Sequence, residues 1–151
     1  GNAVNDSLEL STTAGNFKAS LQDNLFCHFD QVLKATEDKH FAIVDARSAG
    51  RFAGTAPEPR PGVRSGHMPN ATNLPFPEVL EGGFLKEPTE LAKLFADKAA
   101  THQTVITSCG SGITACVLTL AAYVAGYPSL MVYDGSWAEW GMPGKLPVVT
   151  D

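Results

Sequence analysis

No Cys-x-x-Cys pair, no uninterrupted apolar run of 18 residues and no internal repeat occurs in this sequence. Without the first, the three cysteines, Cys27, Cys109 and Cys116, lack the spacing of a zinc site or a disulfide framework, and their odd number suits a reducing compartment. Without the second, no membrane-spanning helix is predicted, and the polar opening from Gly1 to Glu9 is not a retained secretory signal. Without the third, repeat architectures are excluded. Basic charge is also short. Eleven Lys and Arg stand against 16 Asp and Glu, a net charge of -5, which leaves no global field to hold nucleic acid or an anionic membrane. Anion recognition must therefore be local.

What is present fits one soluble globular domain. At 151 residues, with 44% hydrophobic and 18% charged residues, the chain can bury a real core but not two of ordinary size. All four arginines, Arg47, Arg51, Arg60 and Arg64, fall within 18 residues that contain a single acid, Glu58. A solvated basic loop and an anion site both answer to that pattern.

Residues 1–25 mix Asn, Ser, Thr and Gly with scattered apolar positions, and are expected to form an extended lead-in or interdomain linker. The domain proper is expected over 26–151. Asp30 to Asp38 suits a short amphipathic helix, and Phe41–Asp45 a buried strand ending in a carboxylate. Three prolines and three glycines between Ala53 and Gly66 require a loop. A brief strand over Ala71 to Phe76 and a helix from Pro88 to Ala100 follow. Then come a second buried strand at Thr104–Ser108, an apolar helix from Ile113 to Ala125 closed by Gly126, and a third strand from Leu130 to Asp134. Short apolar strands alternating with helices predict an α/β fold: a central, mainly parallel sheet with helices on both faces.

Ligands of such sheets collect beyond the carboxyl ends of the strands, where Cys109 stands. The run Cys109-Gly110-Ser111-Gly112 lets a tight loop curl, converging backbone N–H groups into an anion-binding nest. The helix starting near Ile113 points its free amides and positive dipole end at the same place. A thiol held there ionises readily, and its cradle also suits a persulfide or an oxyanion. A lone cysteine at a strand end is more often a small buried residue, but the strand-Cys-Gly-x-Gly-helix context favours function. Cys116, inside Ala115-Cys116-Val117-Leu118, reads as core, and Cys27 as structural. His67 is expected to order a turn, and Trp137 and Trp140 to close a core edge. Phosphatases that use a loop of this form need an arginine six residues after the cysteine. Position 115 is alanine, which argues against that chemistry.

The loop Cys109–Ala115, together with Asp45-Ala46-Arg47, Gly50-Arg51-Phe52, Glu58-Pro59-Arg60, Gly66-His67-Met68-Pro69 and Tyr133-Asp134-Gly135-Ser136-Trp137, resembles the catalytic C-terminal half of the two-domain rhodanese family. The match runs from about Phe26 to Asp151. Ile113 stands where the family more commonly has valine. Members that use thiosulfate tend to carry basic residues directly after the cysteine, so Gly110 and Ser111 favour the branch that uses 3-mercaptopyruvate.

The resemblance implies a rhodanese-like domain in which Cys109 is the nucleophile and Ser111 sits beside the transferred sulfur, assisting proton movement. It implies that Arg51 and Arg60 bind the carboxylate and keto oxygen of mercaptopyruvate, with Gly110, Gly112, Ile113 and Thr114 completing the donor site. Asp45 and Arg47 are expected to be structural. Cys109 would become a persulfide and hand the sulfur to thioredoxin, another thiol or cyanide, with no metal or organic cofactor. An N-terminal rhodanese domain in the parent chain and a cytoplasmic or mitochondrial location are further expectations. Two alternatives stand beside this reading: a thiosulfate sulfurtransferase, and a non-catalytic rhodanese-like module that binds partners or senses oxidants through Cys109.

Overall fold

The computed structural model describes residues 15–151. Five strands, β1 (Phe26–Cys27), β2 (Phe41–Asp45), β3 (Ala71–Asn73), β6 (Thr104–Ser108) and β7 (Leu130–Tyr133), form one sheet in the order β1-β7-β6-β2-β3. Every pairing in it is parallel. A separate antiparallel hairpin joins β4 (Leu80–Glu81) to β5 (Phe84–Leu85). The helices are α1 (Phe29–Ala35), α2 (Ala49–Ala53), α3 (Pro88–Ala96), α4 (Ile113–Val124) and α5 (Ser136–Trp140).

Strand side chains alternate between two cores, as the pleat requires. Ala42, Val44, Val105 and Val132 face a core shared with Leu91 and Phe95 of α3 and Leu118 of α4. Ile43, Ile106 and Tyr133 face the opposite core, where Val32 of α1 and Trp137 and Trp140 of α5 pack. Helices therefore cover both faces, as expected. A sheet buried on both sides explains why β2 and β6 read as continuous apolar runs rather than alternating ones.

Several expectations need correction. Cys116, read as core, is exposed. The helix buries Ala115, Leu118, Ala121 and Ala122, and its opposite stripe leaves Ile113, Cys116, Leu120 and Tyr123 outward, so an all-apolar run still has a solvent side. The strand expected to reach Phe76 stops at Asn73, and Phe76–Val79 forms a 3-10 turn behind Pro75. Of the expected lead-in, residues 1–14 lie outside the described residues, and Asp23–Leu25 is a 3-10 turn that leads into β1. The last helix turns beyond Ala35 and Ala96 are also shorter than the periodicity suggested.

The chain order places the site. From β2 it moves outward to β3, then returns to β6 on the other side of β2 and continues to β7. The connections leaving β2 and β6 thus diverge, and a crevice opens beyond their carboxyl ends.

Candidate active site

Cys109 directly follows β6, and α4 begins four residues later. The loop between them is held from below by α5. Trp137 and Ala138 donate their backbone N–H groups to the carbonyls of Cys109 and Gly110, both at 2.9 Å. The Cys109 N–H donates to the Ser136 hydroxyl at 3.1 Å, and that hydroxyl donates to the Tyr133 carbonyl at 2.8 Å. With this clamp in place, the amides of Ser111, Thr114 and Ala115 act on the thiol. Ser136 holds this clamp from a left-handed backbone position, φ 48°, unusual for a residue with a Cβ.

The two loop glycines are required for different reasons. Gly112 has φ 86°, and a Cβ on it would lie 2.8 Å from an Asp134 carboxylate oxygen. Gly110 has no left-handed backbone. A Cβ there would instead lie 3.0 Å from Nη2 of Arg51, so its missing side chain makes room for that guanidinium.

Cys109 is only 2% exposed. Burial by itself pushes its thiol pKa up, but the Thr114 hydroxyl and the amides of Ser111, Ala115 and Thr114 all favour the thiolate and bring it below the ordinary value. Cys27 shows the contrast. Equally buried, and with no donor to offset desolvation, it is pushed up to about 12 and stays a neutral thiol.

A cavity of about 360 Å³ opens over Cys109. Arg51 and Arg60 line it from the β2–β3 connection. Gly110, Ser111, Ile113 and Thr114 line it from the loop and the first turn of α4. Gly112 does not line it, being buried against Asp134. Glu58, Pro59, Val63 and Ala138 complete the wall. Val63 and Ala138 carry no sequence signal, whereas Glu58 was marked as the one acid among the arginines.

The four arginines divide into two pairs. Arg47 is buried, donates to Asp45, Glu58 and the Gly66 carbonyl, and lies 4.1 Å over the Trp137 ring. Arg64 donates to the carbonyls of Trp140 and Gly141. Both are structural. Arg51 is a quarter exposed and grips Glu58 through Nη2 at 2.5 Å and Nε at 3.2 Å. Arg60 is exposed, and among the described residues no hydrogen bond or ion pair involves its side chain. Asn73 ties the end of β2 by donating to the carbonyls of Asp45 and Arg47, both at 2.9 Å.

His67 stacks on Phe52 at 4.0 Å and its Nδ1 meets the Phe52 carbonyl at 3.0 Å, outside the cavity lining. It orders the loop, as expected. Trp137 and Trp140 are fully buried, with their indole N–H groups on the Arg64 and Pro147 carbonyls. Chemically, the site offers an ionisable sulfur, four converging donors and two cationic forks above them. That arrangement can attack an electron-poor sulfur in an anionic molecule and hold the product.

Comparison with known proteins agrees with this geometry. The family model described as a rhodanese-like domain matches residues 28–142. A 3-mercaptopyruvate sulfurtransferase of Rattus norvegicus is 43% identical over 128 residues, which is 83% of this chain and 43% of that protein. A thiosulfate sulfurtransferase of the same organism is 46% identical over 127 residues, 82% of this chain and 43% of the relative. Among solved structures, the sulfur transferase subunit of yeast mitochondrial complex I superimposes with a TM-score of 0.75 at 41% identity, covering 86% of this chain and 47% of that one. The chain thus spans less than half the length of the relatives it matches.

Proposed function

Since this chain belongs to the rhodanese family, we propose that it is a sulfurtransferase in which Cys109 accepts a sulfur atom from 3-mercaptopyruvate as a persulfide and passes it to a thiol. One observation carries the reading: Cys109, whose thiol is drawn below its ordinary pKa by four hydrogen-bond donors, lies in the cavity that Arg51 and Arg60 line.

In the first step the Cys109 thiolate attacks the donor sulfur. The S–S bond forms as the carbon–sulfur bond breaks, and the electron pair leaves on pyruvate as its enolate, which takes a proton at carbon. Ser111, at the cavity wall, is suited to assist that proton movement. The amides that favour the thiolate then serve the persulfide anion, and Arg51 and Arg60 take the donor's carboxylate and keto oxygen. In the second step an acceptor thiolate, such as that of thioredoxin, or cyanide attacks the outer sulfur and Cys109 leaves as thiolate. Dividing the transfer this way replaces one difficult step with two easier ones.

The choice of donor rests on Gly110. A basic side chain there would start 3.0 Å from the Arg51 guanidinium, crowd it and set a second positive charge beside the carboxylate fork. Thiosulfate sulfurtransferases are as similar in sequence, so thiosulfate is the second donor to compare. Relatives of twice this length support a further domain as a partner of this one, and free thiols suit a reducing compartment.

The test is direct. After incubation with mercaptopyruvate the intact protein should gain the mass of one sulfur, and Cys109→Ser should gain none. An unchanged mass for the unmodified protein with both donors refutes the reading.

A further inference from the structure

We infer that Glu58 is a positioning residue that sets donor selectivity, by fixing the direction in which Arg51 faces the Cys109 cavity; the inference rests on the sulfurtransferase reading above. Glu58 has a side chain only 4% exposed, yet it borders the cavity. Its two oxygens are shared between two guanidinium groups. Oε1 accepts from Arg47 Nη1 at 2.8 Å, and Oε2 accepts from Arg51 Nη2 at 2.5 Å, while Arg51 Nε lies 3.2 Å from both.

The two arginines differ in freedom. Arg47 is immobilised from every side, by Asp45, by the Gly66 carbonyl and by the Trp137 ring beneath it. Glu58 is therefore a relay from a fixed buried anchor to a guanidinium that is a quarter exposed. One edge of Arg51 is settled by it. The Nε and Nη2 side is bound to the carboxylate, Nη2 also packs over Gly110, and among the described residues Nη1 makes no hydrogen bond. What remains to meet a ligand is one edge in one orientation.

The same arrangement balances charge. Asp45 and Glu58 offset Arg47 and Arg51, so among the described residues Arg60 is the cavity's uncompensated cation. Arg60 supplies attraction for any anion, whereas the oriented edge of Arg51 distinguishes a planar carboxylate beside a carbonyl from a tetrahedral sulfur oxyanion. Attraction and selectivity are thus assigned to different side chains, and Glu58 controls the second.

The experiment measures sulfur loading of Cys109 in a single turnover, by intact mass, across concentrations of mercaptopyruvate and separately of thiosulfate. Glu58→Gln frees Arg51 and adds one net positive charge. The half-saturating mercaptopyruvate concentration should rise on the order of tenfold, the loss of one charge-assisted hydrogen bond, while that for thiosulfate stays level or falls. The limiting rates should not change. Glu58→Asp restores the charge but not the reach, so mercaptopyruvate should remain weakened while thiosulfate returns to the parent value. It carries the comparison alone if the glutamine variant does not fold. Equal weakening for both donors, or none for either, overturns the inference. Failure of the unmodified protein to load from either donor overturns the sulfurtransferase reading instead.

Discussion

Replacing Thr114 by valine removes a hydroxyl that favours the Cys109 thiolate while keeping a β-branched side chain of nearly the same volume in the first turn of α4. A hydrogen bond to a charged group contributes about 1.5–3 kcal/mol, and a pKa unit corresponds to about 1.4 kcal/mol. The Cys109 pKa should therefore rise, by an amount that this interaction energy sets. The three amides from Ser111, Ala115 and Thr114 remain in the variant and keep the thiol more acidic than Cys27. Iodoacetamide alkylation of Cys109, followed by mass across a pH series, reads the midpoint directly. At a fixed pH below both midpoints the rate should drop only about threefold per unit, because the more basic thiolate is the better nucleophile. The sign of the linked stability is also fixed. The unfolded chain holds the thiol proton up to the ordinary 9.0 and the folded chain releases it earlier. Stability therefore rises with pH between the two values and is lost as pH falls through the folded one. The window should narrow in Thr114→Val. An alkylation midpoint within about 0.3 units of the parent, in a folded variant, would show that the hydroxyl does not act on the sulfur.

Three other outcomes are expected. Cys27→Ala should remove a decline in stability between pH 9.0 and about 12, where the unfolded thiol ionises and the buried one does not; urea unfolding at several alkaline pH values measures it. Gly112→Ala meets both a left-handed backbone and an Asp134 oxygen at 2.8 Å, and should lower Tm by roughly 2–12 °C, with slower sulfur loading because the amides of the loop move. Arg47→Met leaves two buried carboxylates without their shared cation, a loss of about 3–5 kcal/mol that calorimetry should report as a Tm drop of at least about 6 °C. A calorimetric trace like the parent's would refute the anchoring role of Arg47.

Much of the fold was legible because a sheet covered on both faces leaves a strong trace in sequence. β2 and β6 appear as short runs of apolar and β-branched residues, and both begin and end at the residues their composition suggested. The elements missed were those with too few residues for a period: β1 with two, the β4–β5 hairpin, and α2 with five. Cys116 was misplaced for a related reason. Apolar residues all round a helix hide which stripe faces the core, and the packing of α4 on β6 and β7 decides it. In the site, Cys109 and its glycines were evident because a cysteine at a strand end, followed by glycines and then a helix start, marks a tight loop whose amides can face the thiol. The division of labour among the arginines was not, since Arg47, Arg51, Arg60 and Arg64 look alike in a chain.

The candidate nucleophile, its loop and the doubly covered parallel sheet could be read along the chain, because these depend on neighbours a few residues apart: spacing, glycine and periodicity. Only the tertiary structure decided which guanidiniums face the sulfur, that Gly110 makes room for Arg51, and that Ser136 and α5 clamp the loop from 27 residues away. Those outcomes follow from three connections meeting beyond the ends of β2, β6 and β7. The direction of a long side chain there is set by the carboxylate or ring it meets, and not by its own place in the chain.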